Sequence, residues 1–83
     1  MEIQLDFNHI ENREQLHEYL KQELNLSDYY GSNLDALHDC LMEKNNIDKI
    51  SIFHFDFLKS KMGDYAGILV QVFADAGIIV DIA

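Results

Sequence analysis

Tyr29-Tyr30-Gly31-Ser32-Asn33-Leu34-Asp35-Ala36-Leu37-His38-Asp39-Cys40-Leu41, in one-letter form YYGSNLDALHDCL, runs from a turn into an amphipathic helix. Gly31 is free to take a positive φ and Ser32 or Asn33 can cap the first helical turn, so the helix is expected to run to about Glu43. At 100° per residue Leu34, Leu37 and Leu41 converge on one sector, which must face a core. Asp35, Asp39 and Glu43 form an i, i+4, i+8 row a quarter to half a turn away. His38 and Met42 lie between that row and the leucines, while the small Ala36 and Cys40 lie on the other flank. A helix with one apolar side has to rest on something, and the flanking sequence supplies a sheet.

On the N-terminal side, Asn12 with Gln15 reads as a capping box, and Leu16, Tyr19, Leu20 and Leu24 continue at helical spacing, giving a helix over about 13 to 24. Ahead of it Ile3, Leu5 and Phe7 alternate with polar residues, the period of a half-buried strand. On the C-terminal side Asn45-Asn46 is a turn signal, Lys49 to Phe55 (KISIFHF) reads as a second strand and Phe57 to Met62 as a short helix. From Asp64, residues Ile68, Leu69, Val72, Phe73 and Ala76 recur three or four apart, with Gly77 suited to the C′ position. Ile78 to Ile82 is a nearly continuous apolar run, the pattern of a strand buried on both faces. Strands separated by helices require crossovers, so the expected class is α/β, a small parallel sheet with helices packed on it, in one domain over residues 1–83. No repeat or linker divides the chain.

The composition narrows the function. Fifteen Asp and Glu against six Lys and Arg give a formal charge of -9, while 48% hydrophobic residues, nine of them Phe or Tyr, argue for a folded core. Such a charge disfavours direct contact with nucleic acid or anionic lipid, because a polyanion gains by neutralisation with Lys or Arg. No apolar run approaches a membrane span, the single Cys40 has no internal disulfide partner, and Met1 onward lacks a basic, apolar export signal, so a cytoplasmic location is expected. Cys40 reads as a packing residue, and His9, His17 and His54 as surface or satisfied core residues. Asp35, His38 and Asp39 share a helical face and could touch a divalent ion, but no further ligand spacing completes a site. No nucleophile or substrate pocket is suggested, so neither catalysis nor a cofactor or metal is expected.

The acidic row is unusual for where it sits. Asp35, near the helix N-terminus, is favoured by the macrodipole and can complete a cap with Ser32. Asp39 is mid-helix, where aspartate is a poor former and a like charge at i, i+4 costs a further ~0.2–0.5 kcal/mol. From Gln22 to Glu43 there are five acidic residues and no Lys or Arg, so relief must come from elsewhere. The tyrosines at the mouth of the helix add aromatic anchors of the kind protein interfaces use; one is expected to point out and the other to pack inward.

YYGSNLDALHDCL closely resembles the signature of the barstar family, intracellular inhibitors of secreted, barnase-like ribonucleases, and LVQVFADA over Leu69 to Ala76 is a second match. The order of strands and helices agrees over essentially the whole chain. The resemblance implies a three-stranded parallel sheet with flanking helices, no enzymatic activity, and a docking face made of the second helix and the loop before it. Position by position it assigns partner contacts to Tyr29, Asp35 and Asp39, a peripheral charge contact to Asp75, and lesser roles to Asn33 and Leu34. His38 departs from the family pattern, which has tryptophan there, Lys44 stands where the family has an aromatic residue, and the following loop is shorter. With Met42 and Glu43 on the same face, the expected partner-binding set is Tyr29, Asn33, Leu34, Asp35, His38, Asp39, Met42, Glu43 and Asp75. The expected partner is a basic secreted ribonuclease, bound 1:1 by a monomer with the carboxylates standing in for RNA phosphates. The alternative is an immunity or adaptor protein, as in a toxin–antitoxin pair, directed at a different basic partner or toxin.

Overall fold

The structure, a computed structural model, describes residues 1–43 and 46–83. Lys44 and half of the expected Asn45-Asn46 turn lie outside the described residues. The element order is β1 (Glu2–Asp6), α1 (Arg13–Glu23), α2 (Leu34–Glu43), β2 (Lys49–Phe53), α3 (Phe55–Met62), α4 (Asp64–Asp75) and β3 (Ile79–Ile82). The three strands form one parallel sheet in the order β1-β2-β3, which is the expected α/β class.

Strand order dictates where the helices go. Both crossovers step across the sheet in the same direction, so right-handed connections put all four helices on the same face. The side chains agree with this. In the register, Ile3, Ile50 and Val80 form one row and Leu5, Ile52 and Ile82 the next, and these point toward the helices. The intervening rows, Glu2-Lys49-Ile79 and Gln4-Ser51-Asp81, point the other way and are mostly polar. The core is therefore a single layer between sheet and helices. Leu5, Ile50 and Ile52 from the strands and Phe7 just after β1 meet Leu16, Leu20, Leu37, Leu58, Leu69 and Phe73 from the helices, all fully buried. Each such side chain contributes about 1.5–3 kcal/mol of transfer free energy, the term that holds the two layers together.

The uncovered sheet face corrects the expectation for the last strand. Ile78 to Ile82 is not buried on both sides: β3 is an edge strand, with Ile79 66% and Ile82 48% exposed. The residue that reaches the core is Ile78, and it does so before the strand begins. Gly77 takes φ 81° as its N–H bonds to Ala74 O (3.0 Å), and Ile78 N–H bonds to Phe73 O (3.1 Å), the paired bonds of a Schellman stop. An apolar run looks alike whether its residues enter the sheet or the helix stop, which is why periodicity misjudged it.

Two boundaries also move. β2 ends at Phe53 rather than Phe55, because His54 adopts a left-handed conformation (φ 61°) and its carbonyl accepts the Phe57 N–H (3.2 Å), starting α3 two residues earlier than expected. α1 ends in a second Schellman stop with Asn25 at φ 52°, its N–H facing Gln22 O (3.4 Å) and Leu26 N–H on Lys21 O (2.9 Å). At its other end Asn12 Oδ1 accepts the Gln15 N–H (2.8 Å), as expected, but Gln15 Oε1 reaches back to Glu11 N–H (2.9 Å), one residue beyond a true box. Among the described residues no helix is long and apolar enough to cross a membrane.

Candidate protein-docking face

The loop before α2 is built from inside outward. Tyr30 turns into the core (8% exposed) while Tyr29 stands almost wholly in solvent (96%), the expected division between the two. Ser27 supports both: its carbonyl accepts the Tyr30 N–H (3.0 Å) and its hydroxyl the Tyr29 N–H (3.1 Å).

Gly31 is needed for a different reason from the one its type suggests. The positive φ belongs to Ser32 (55°), not to Gly31; at Gly31 an added Cβ would stand 3.2 Å from the Ala36 Cβ. The glycine lets the loop lie against the first turn of α2. The expected cap also resolves. Asn33 Oδ1 accepts the Ala36 N–H (2.7 Å), its Nδ2 donates to Gly31 O (3.2 Å), and its carbonyl accepts the Leu37 N–H (2.9 Å). Asn33 is thus the N-cap, and no Ser32–Asp35 box forms. Its side-chain amide is spent locally, so its role is to fix the helix start.

From that cap the helix presents two sides. Leu37 and Leu41 are buried and Leu34 half-buried against the core. Asp35, Asp39 and Glu43 are all exposed along the opposite side, followed by Met42 (58% exposed). Among the described residues no Lys or Arg forms an ion pair with any of the three carboxylates. The ionic neighbour of Asp39 is His38, with Nδ1 4.0 Å from Oδ1 and the imidazole half-exposed. Cys40, on the inner flank as expected, is half-buried, and burial followed by the nearby Glu43 and Asp39 charges pushes its thiol pKa up, away from reactivity.

Asp75 lies on α4, which packs directly against α2. It is exposed, with Oδ1 accepting from Gln71 Nε2 (2.9 Å) one turn earlier. The acids elsewhere are more often matched by the chain itself. Asp48 holds the N-terminal ammonium (2.6 Å), Asp6 meets His54 Nδ1 (2.7 Å), Asp81 faces Lys49 (3.9 Å) and Glu11 faces Lys61 (3.8 Å). The Asn8 N–H bond first, and then the His54 hydrogen bond, hold the Asp6 carboxyl below its usual pKa. No cluster of three or more His, Cys, Asp or Glu among the described residues is arranged to hold a metal ion.

Sequence reasoning left one buried polar group undecided between surface and satisfied core. His17 is 1% exposed, hydrogen-bonded through Nδ1 to the Tyr30 hydroxyl and through Nε2 to the Tyr65 hydroxyl (2.6 Å). The signal was its place inside the Leu16–Leu20–Leu24 stripe of α1, but position alone does not tell a satisfied core histidine from a surface one.

A three-stranded parallel sheet with flanking helices is the fold that the YYGSNLDALHDCL signature implied. A family model described as Barstar (barnase inhibitor) matches residues 1–80. The chain belongs to the barstar family. It is also 39% identical over 75 residues, covering 89% of this chain and 82% of the relative, to a Bacillus subtilis (strain 168) protein named "Putative ribonuclease inhibitor YrdF".

Proposed function

We propose that the protein is a ribonuclease inhibitor directed at a barnase-like enzyme, blocking the active site with α2 and the loop before it. One observation carries the reading: Asp35, Asp39 and Glu43 stand exposed in a row, with no lysine or arginine of the described chain paired to them. Membership of the barstar family and the printed name of the Bacillus subtilis relative support ribonuclease inhibition.

The mechanism rests on what a ribonuclease must do. Its empty cleft has to hold RNA phosphates with Arg, Lys and His, and is therefore a concentrated positive field. Carboxylates fixed on a packed helix answer that field through charge-assisted hydrogen bonds. Asp39 is the phosphate mimic, because its short side chain keeps the charge close to a rigid backbone. Asp35 and Glu43 extend the match along the helix, Asp75 adds a peripheral charge, and Tyr29 and Met42 supply apolar contact. Leu34 seats the helix and Asn33 fixes its first turn, so little ordering remains to be done on binding. The overall charge of -9 speeds encounter with a basic enzyme. The inhibitor acts as a monomer in a 1:1 complex, in the cytoplasm, without catalysis, cofactor or metal.

The test is inhibition of barnase-catalysed RNA cleavage by the wild type and by Asp39→Ala. Wild-type inhibition that the variant loses is the expected result; inhibition unchanged in the variant rejects the acidic-ridge mechanism. His38, in place of the family tryptophan, favours a second reading in which the partner is a different basic protein or toxin. Failure to inhibit barnase, together with Asp39-dependent capture of another basic protein, would establish that alternative.

A further inference from the structure

The two edges of the sheet are finished differently. On the β1 side Phe7 N–H donates inward to Phe53 O (3.0 Å), so at alternate positions Gln4 and Asp6 face outward. That edge is closed: Asp6 N–H donates to the Tyr19 hydroxyl (2.8 Å), and the Asp6 carboxylate turns back on Asn8 N–H (2.9 Å). On the β3 side Ile79 N–H donates to Asp48 O (3.0 Å) and Ala83 N–H to Ile52 O (2.9 Å). Alternate residues of a parallel ladder face the neighbouring strand, so Ile79, Asp81 and Ala83 are engaged with β2, while Val80 and Ile82 direct their N–H and C=O groups away from the sheet. No hydrogen bond from the described residues reaches these four groups. The strand also lacks the devices that blunt an edge: it has no proline and no lysine, and no bulge interrupts its register.

Such an edge fits another extended strand, and the charge around it decides whose. Within β3 only one two-fold antiparallel register satisfies all four groups, Val80 opposite Ile82 of a second copy, and it sets Asp81 directly against its own counterpart. Each copy would also bring a formal charge of -9. On the open face of the sheet Glu2, Asp6 and Asp81 stand against Lys49, the one Lys or Arg of the three strands. A second copy is therefore repelled where a basic strand is attracted. Beside the carboxyl end of β3 lies a groove lined by Phe53, Phe55, Phe57 and Ile82, suited to an apolar side chain. We propose that the edge of β3 is a second docking site, taking an extended segment of a basic partner protein as a fourth, antiparallel strand. A Lys or Arg of the segment faces Asp81 on the open side, and the apolar residues flanking it face Val80 and Ile82 on the helix side, next to the phenylalanine groove. The site shares no residue with the docking face of α2 and does not rest on what α2 binds.

The probe is a synthetic peptide, Ser-Thr-Val-Lys-Val-Thr-Ser, blocked at both ends and titrated into the full chain while the protein amides are followed by NMR. The Val80 and Ile82 amides should shift and gain about ten-fold protection from hydrogen exchange. The same peptide N-methylated at both valines keeps its charge but loses the N–H donors that face β3, and should bind about ten-fold more weakly or not at all. Ile82→Pro removes an N–H that has no partner in the ladder to β2, so the melting temperature should stay close to that of the wild type while peptide binding is lost. In Asp81→Lys the preference should reverse, toward the peptide with glutamate in place of its lysine. Unperturbed Val80 and Ile82 amides up to millimolar peptide, equal binding of the N-methylated peptide, or an unchanged preference in Asp81→Lys overturns the proposal. A free protein that sediments as a dimer, and that Ile82→Pro makes monomeric, overturns it too, because the edge then belongs to a second copy.

Discussion

The outer faces of α1 and α2 carry acids at the same spacing and mean different things. Glu14 and Glu18 on α1 are an i, i+4 pair, exposed, with no Lys or Arg partner among the described residues, just as Asp35 and Asp39 have none on α2. Unpaired acid at helical spacing therefore does not by itself mark a binding site. The chemistry of the side chains does the separating. Glutamate is a good helix former whose charge swings on a flexible stem, and on α1 it is interspersed with Gln15 and Gln22, a solvated face. Aspartate is a poor helix former whose carboxylate sits one methylene from the backbone. On α2 it is flanked by the exposed Tyr29 and Met42 and anchored by Leu37 and Leu41 beneath. Placing a costly residue on a well-anchored surface is what a partner requires and free stability does not.

Alanine at each position gives the largest contrast. Asp39→Ala should weaken ribonuclease binding by about 30-fold or more, the ~2–5 kcal/mol expected when one member of a desolvated charge pair is truncated; barnase with barstar is the familiar illustration of such pairs and belongs to this same family. Glu18→Ala should change affinity less than about two-fold. Asp39→Ala should also leave the melting temperature unchanged or slightly raised, because it removes a repulsion and improves helix propensity. Titration of inhibition alongside a thermal melt checks both, and equal affinity losses at 39 and 18 would erase the distinction between the helices.

Salt should separate the whole-molecule field from the ridge. Between 0.01 and 1 M salt the screening length falls from about 30 to about 3 Å. The association rate with a basic ribonuclease should then drop by about 10- to 1,000-fold, with a smaller change in dissociation. Stopped-flow association across that range measures it, and an association rate indifferent to salt would remove the electrostatic part of the mechanism. Glu14→Gln should shift the curve only slightly, since it changes one charge of many.

Much of this contrast was legible in the sequence, for physical reasons. The α2 faces were readable because three leucines and three acids obey one 3.6-residue period, and the structure gives helix bounds at Leu34–Glu43. The parallel sheet was readable because helices separate the strands. What failed were features decided by neighbours distant in sequence. Nothing in Ile78 to Ile82 says that helices cover only one sheet face, so β3 looked doubly buried. Nothing local says that His54 turns left-handed after Phe53, or that Gly31 is needed for the nearness of Ala36 rather than for φ. Tyr29 and Tyr30 are identical in type, and the one that turns inward meets the core and His17, thirteen residues earlier in the chain.

The caps of the two helices make a matched, smaller pair. Asn12 and Asn33 each accept one first-turn N–H, at 2.8 and 2.7 Å. Alanine at either should cost stability by about 1 kcal/mol. Only Asn33→Ala should also weaken inhibition, by several-fold, because it frays the end of α2 that carries Asp35. Equal stability loss with unequal inhibition loss is the expected pattern; binding equally impaired by Asn12→Ala would mean that inhibition tracks stability and not the docking face.

The buried histidine of α1 should give the smallest effect. His17 has a folded pKa below its unfolded value of about 6.5, so the stability it supports is complete above that pH and is lost as pH falls toward the folded pKa. Lowering the pH from 8 to 5 should therefore depress the melting temperature of the wild type more than that of His17→Gln. Thermal melts of both proteins at the two pH values measure the difference, and an equal depression in the wild type and in His17→Gln would assign the acid sensitivity to groups other than this buried ring.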